Sequence, residues 1–135
     1  MQIAPDAYAR MLAHLGAARD RERCGLLFGC GTHARRYRPI DNIAADPQCR
    51  YEMHPQQLIA AMAQARACAE TLVGIVHSHP RAPATPSAED IAQASYPEAV
   101  YVIASLLGET PTVRGWRLRP GAAPQEEPLE AAGGA

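Results

Sequence analysis

The run Thr71-Leu72-Val73-Gly74-Ile75-Val76 constrains this chain more than any other stretch. Its apolar and β-branched residues make it a central β-strand, and directly beyond it stands His77-Ser78-His79-Pro80. Residues i and i+2 of a strand project from one face, so both imidazoles aim at one point while Ser78 aims away. Asp90, eleven residues past His79, supplies a carboxylate. Two neutral imidazoles and one Asp would make a three-ligand zinc site whose fourth tetrahedral position stays open, the arrangement of catalytic sites. A bare HxH pair also arises by chance at solvated strand ends, so the case rests on the residues around it.

Elements on either side can be read from pattern. Pro5 and Asp6 open a helix whose Tyr8, Met11, Leu12 and Leu15 share one face. Cys24 to Gly29 is an apolar run suited to a buried strand, and Ala34 to Ile40 a more exposed one with Arg35, Arg36 and Arg38 wetted. Cys49 to His54 reads as a further short strand, and Pro55 opens a helix with Leu58, Met62, Ala65 and Ala69 on one side. Arg81 to Pro86 is a proline-rich loop, Ser87 begins a short helix, and Ala99 to Leu107 and Thr112 to Arg119 are the last strands. From this order the expectation is an α/β fold, a mixed sheet flanked by helices, in a single domain over residues 1–119. Residues 120–135 turn to Pro, Gly, Ala and Glu, and the expectation there is a disordered tail.

A net charge of −1 gives no bulk attraction to nucleic acid or an anionic membrane, so neither is expected as a partner. All thirteen basic residues are Arg, which excludes Schiff-base and P-loop lysines. No stretch reads as a signal peptide or membrane span, so a cytoplasmic protein with reduced Cys24, Cys30, Cys49 and Cys68 is expected. His14, His33 and His54 lack metal-ligand spacing and read as surface residues.

Ser87-x-x-Asp90 is first of all a capping box. A cap fixes the carboxylate at the start of a helix, which is compatible with its ligating a metal beside the end of the HxH strand. Hydrolysis also needs a proton-transferring group that is not a ligand. Glu22, Glu52, Glu70, Glu89 and Glu98 are available, with Glu22 slightly favoured because it enters the strand at Cys24, which can lie beside the HxH strand.

Glu22-Arg23-Cys24-Gly25-Leu26-Leu27-Phe28-Gly29, then His77-Ser78-His79-Pro80, then Pro86-Ser87-Ala88-Glu89-Asp90 resembles the JAMM (MPN+, Mov34) metallopeptidase family. That family's pattern is Glu, then HxH, seven residues, Ser, two residues and Asp, and this chain matches it without a gap. The resemblance implies the JAMM/MPN, cytidine deaminase-like fold. It implies zinc held by His77, His79 and Asp90, Glu22 as general acid/base, and Ser87 steadying the oxygen of the tetrahedral intermediate. The short chain resembles the small bacterial branch of the family, which includes peptidases acting on ubiquitin-like sulfur carrier proteins. The implied reaction is hydrolysis after the carrier's C-terminal Gly-Gly, releasing cysteine or trimming a tail. The segments near Cys49 to Met53 and Arg81 to Pro86 are where such a tail would lie. A broader isopeptidase, similar to deubiquitinases, and a catalytically silent MPN interaction module are the competing readings; the intact five-residue motif speaks against the second. The carrier and the oligomeric state, a homodimer included, stay open. The terminal Gly133-Gly134-Ala135 reads as low-complexity coincidence.

Overall fold

A computed structural model describes residues 1–131. In chain order the elements are β1 (Gln2–Ile3), α1 (Pro5–Gly16), β2 (Cys24–Cys30), β3 (His33–Ile40), α2 (Pro55–Ala67), β4 (Thr71–His79), α3 (Ala88–Gln93), β5 (Val100–Ser105), β6 (Thr112–Arg117), β7 (Gln125–Glu127) and β8 (Glu130–Ala131). They form one sheet ordered β7-β6-β5-β4-β2-β3-β1-β8. β4 is central, antiparallel to β2 and parallel to β5, so the sheet is mixed as expected.

Both faces of this sheet are covered, because neighbouring residues of its inner strands point opposite ways. Leu27, Val76, Val100 and Val102 pack with Ala7, Met11 and Leu15 of α1. Leu26, Phe28, Ile75 and Tyr101 pack with Ala61 and Ala65 of α2. Fully burying a side chain such as Met11, Leu15 or Phe28 contributes about 1.5–3 kcal/mol. The small residues of α2 let that helix lie close to the sheet, and Ala69 falls past the helix end at φ 57° rather than on its buried face. Gly25 is fixed by crowding: a Cβ there would collide with the Tyr37 ring. No helix among the described residues is long and apolar enough to cross a membrane.

Two expectations change. The Cys49–His54 segment is no regular strand; it makes a single bridge, Asn42 to Met53. The Asn42 side chain takes up the main-chain groups of Ala44, Arg50 and Glu52 that a ladder would have used. The polar tail, expected to be disordered, is ordered through residue 131. β7 joins β6 at one end of the sheet, whereas β8 joins β1 at the other. Pro128 and Leu129 therefore connect the two edges of a strongly curled sheet. Composition misled because edge pairing needs main-chain hydrogen bonds rather than apolar bulk. Arg114 grips Glu126 and Arg117 grips Glu127, and the N-terminal ammonium donates to the Pro128 carbonyl at 2.7 Å. Leu129 seats over Gly115, where a Cβ would approach Leu129 Cδ2 to 2.7 Å. Residues 132–135, with Gly133-Gly134-Ala135, lie outside the described residues. Leu129→Asp should lower stability by about 1–2 kcal/mol, a few degrees in Tm by thermal unfolding; an unchanged Tm would mean the closing segment does not hold the sheet.

Candidate metal centre

β4 carries His77 and His79 to its carboxyl end, and both are buried. Antiparallel pairing sets Cys24 opposite His77, so the residues just before β2 lie across from Ser78 and His79. Ser78 N–H donates to the Arg23 carbonyl at 3.0 Å, and Arg23 N–H donates to Ser78 Oγ at 2.9 Å. Glu22, one residue back, thereby comes to the end of β4, 4% exposed.

Tertiary contacts also settle where α3 starts. Ser105 Oγ–H donates to the Ala82 carbonyl at 2.7 Å, and Trp116 Nε1–H to the Ala84 carbonyl at 2.9 Å, pinning the Arg81–Pro86 loop onto β5 and β6. Ser87 Oγ then accepts Asp90 N–H at 3.0 Å, while Ser87 N–H donates to Asp90 Oδ2 at 3.0 Å, so the expected capping box is present. The same Oδ2 faces the histidines.

His77 Nε2 and His79 Nε2 lie 3.1 Å apart, and Asp90 Oδ2 is 3.2 Å from the first and 3.0 Å from the second. Three lone-pair-bearing atoms this close repel unless a proton or cation sits among them. Ligand atoms about 2.0–2.1 Å from a tetrahedral ion stand roughly 3.3 Å apart, so this triangle fits the face of a zinc coordination sphere. Among the described residues these three form a group able to hold a metal ion. His79 Nδ1–H donating to the Pro83 carbonyl, 2.8 Å away, would leave its Nε2 bare toward the group, the usual outer-shell arrangement of a metal-binding histidine. His77 Nδ1 finds no partner among the described residues; its ring is instead held by stacking on Tyr51, centroids 4.5 Å apart.

The electrostatics follow from burial and this convergence. Burial alone would raise the Asp90 pKa, but hydrogen bonds with His77 and His79 outweigh it and hold the carboxyl well below the usual range. Burial lowers the His77 pKa, keeping that ring neutral. Burial opposes protonation of His79 too, yet its bonds to Asp90 and Pro83 and the nearby Asp90 and Glu22 charges raise its pKa overall. Burial pushes Glu22 up to about 8, with His79 lowering and Asp90 raising it. Glu22 Oε1 has no hydrogen-bond partner among the described residues, which leaves it available to a ligand.

Glu22, His79 and Ser87 line one cleft of about 200 Å³, with Gln48, Cys49, Pro80, Arg81 and Ala82. The other carboxylates do not reach it: Glu70 pairs with Arg36 and Glu89 with Arg50, while Glu52 and Glu98 are not among its walls. Arg36 pairs with Glu70 and Arg38 donates to Gln64. His14 is no plain surface residue, since it bonds the Tyr37 hydroxyl at 2.7 Å. Sequence reasoning matched Asn42 and Tyr51 to the family only as positions and gave neither the Tyr51 ring nor the Asn42 amide a role, because neither has a motif spacing relative to the histidines.

A family model described as prokaryotic homologs of the JAB domain matches residues 4–119. A desampylase of Haloferax volcanii is 37% identical over 112 residues, 78% of this chain and 80% of that protein. A probable TtuB-protein conjugate cleaving protease of Thermus thermophilus is 34% identical over 91 residues, 67% of this chain and 60% of the other. Among solved structures, a JAB1/MPN domain protein from Archaeoglobus fulgidus superposes with a TM-score of 0.64 at 17% identity, covering 97% of this chain and 98% of its own. With the α/β architecture and a family match that takes in β2 to β6 and all three helices, the chain belongs to the prokaryotic JAB-domain family.

Proposed function

We propose that this chain is a zinc peptidase that hydrolyses the amide bond after the C-terminal Gly-Gly of a ubiquitin-like protein. The observation that carries this reading is the triangle of His77 Nε2, His79 Nε2 and Asp90 Oδ2 beside a buried, unpartnered Glu22. His77, His79 and Asp90 would hold the zinc, which when bound would polarise the scissile carbonyl and bring the pKa of water from 15.7 toward about 7. Glu22 accepts the proton of the attacking water at Oε1 and returns it to the leaving nitrogen. Ser87 Oγ accepts Asp90 N–H with a lone pair, so its own proton is free to donate to the carbonyl oxygen as negative charge builds there. The walls of the cleft, Gln48 and Cys49 against Pro80 to Ala82, suit a thin, extended tail such as Gly-Gly.

Ser87→Ala should slow turnover about 10²-fold by analogy with loss of one oxyanion donor, and cost about 1 kcal/mol through the lost cap. Ser87→Thr, which keeps the hydroxyl, should retain both; equal turnover in the Ala variant would remove Ser87 from the chemistry.

The substrate class within this reading is a ubiquitin-like sulfur carrier, as the carrier–cysteine adduct. The name of the Thermus relative, a conjugate cleaving protease, favours a second form of substrate in which the tail is linked to another protein. Mass analysis of products from both substrates decides between them. Free cysteine released from the adduct supports the carrier, and a freed lysine amine supports the isopeptidase. No product from either, at about one zinc per chain, would leave a non-catalytic interaction module.

A further inference from the structure

Outside the triangle, Asn42 is the most heavily committed side chain beside the site. Its Nδ2 donates to the Glu22 carbonyl at 2.9 Å and to the Arg50 carbonyl at 3.1 Å. Its Oδ1 accepts Ala44 N–H at 3.0 Å and Glu52 N–H at 2.9 Å. All four hydrogen-bonding positions of the amide are therefore used. Two of them close the two arms of the 42–54 loop on each other from one side, together with Ile43 N–H donating to the Glu52 carbonyl at 2.8 Å. The bond to Glu22 fastens that closed loop to the residue that faces His79. The loop grips Glu22 a second time, as Glu22 N–H donates to the Pro47 carbonyl at 2.6 Å. It also carries Tyr51, whose ring stacks on His77.

Resting on the reading of Glu22 as the proton-transferring group, we propose that Asn42 is a positioning residue for it. The amide locks the Glu22 main chain to the loop that orients His77, so the carboxylate and one imidazole are set by one hydrogen-bonded unit. The only covalent constraint on Glu22 is its place in a connector before β2, and that connector is polar and otherwise exposed. With no hydrogen-bond partner for Oε1 among the described residues, the carboxylate is aimed by its main chain and by the packing around its stem; a displacement of about 1 Å at such a group can cost about 10²-fold in rate.

Asn42→Asp separates the bonds by chemistry. The new carboxylate keeps acceptors for Ala44 and Glu52 N–H but has no donor for the Glu22 and Arg50 carbonyls. It is tested with the zinc-loaded full chain and a fluorogenic anilide of a Gly-Gly-ending ubiquitin-like tail, beside Glu22→Gln. The expected result is kcat lowered ten- to a hundred-fold, KM within about two-fold, and zinc still near one per chain. A readout free of turnover accompanies it: hydrogen exchange at the Glu22 amide, with the chain chelated or loaded, should quicken at least ten-fold while β4 amides keep their protection. Wild-type exchange at Glu22, a loss confined to KM, or loss of zinc together with kcat would each overturn the proposal. Should Asn42→Asp fail to fold, Asn42→Ser, which retains an acceptor for Ala44 N–H, carries the same measurements. Failure of the underlying reading looks different: Glu22→Gln would then retain turnover, or the anilide would not be cut, while the exchange result still reports whether Asn42 holds Glu22.

Discussion

Glu22→Gln is expected to reduce turnover by about 10³-fold or more while the chain still binds one zinc. The change removes a buried carboxylate of the cleft that has no partner among the described residues, and leaves the His77, His79 and Asp90 atoms in place. Metal analysis beside single-turnover kinetics checks both halves; full turnover with zinc bound would remove Glu22 from the mechanism. The same substitution should stabilise the chelated protein. Burial raises the Glu22 pKa from 4.5 to about 8, so the folded state holds this proton more tightly than the unfolded state. Stability from this group is then fully present below about pH 4.5, falls as pH rises between 4.5 and 8, and is level above that. Gln carries no such charge. Near pH 8 the chelated variant should therefore exceed wild type by on the order of 2 kcal/mol, and at pH 4 the two should melt together. A constant difference across this range would show that the side chain's charge is not the cause.

Asp90→Asn is the second large effect, expected to take zinc content well below one per chain and activity with it. The amide can still accept Ser87 N–H, so the capping box survives, but the negative charge facing both imidazoles is gone. Wild type holding zinc at a thousand times its Kd gains about 4 kcal/mol, and the variant should lose most of that; a variant with full zinc content would mean that Asp90 is not a ligand. The pH dependence of metal binding follows from His79, whose pKa is raised above 6.5 chiefly because its bonds and the Asp90 charge outweigh burial. A ligand must be deprotonated, so zinc affinity in wild type should fall as pH drops through that raised value, about ten-fold per unit. In the chelated protein the pair contributes stability on both sides. The depressed Asp90 pKa contributes above 3.8, and this is lost as pH falls; the raised His79 pKa contributes below 6.5, and this is lost as pH rises through the folded value. Chelated wild type should accordingly be most favoured by this pair between those limits, measurable as Tm against pH relative to Asp90→Asn.

Much of the centre was legible because two of its constraints are local. The period-2 geometry of a strand makes His77 and His79 face one way whatever surrounds them, and a capping box places Asp90 at a helix start whatever the helix packs on. The buried strands were legible for the same reason, since apolar runs such as Cys24 to Gly29 and Thr71 to Val76 have few alternatives. The tail was misread because its pairing depends on the opposite edge of the sheet having curled round to meet it, which no composition of residues 120–131 encodes. The Cys49–His54 segment was misread because one distant amide, Asn42, replaces its ladder.

The sequence by itself determined the candidate site residues and their local orientation: two imidazoles on one strand face, a capped carboxylate, and a Glu at the entrance to a neighbouring strand. Only the tertiary structure decided that these meet. Antiparallel pairing of Cys24 with His77 brings Glu22 alongside, the pinned Arg81–Pro86 loop turns Asp90 onto the histidines, and Tyr51 stacks on one of them. Strand register is set by main-chain groups that every residue carries, and the loop is held by side chains of β5 and β6 that lie far from it along the chain, so local sequence does not specify either.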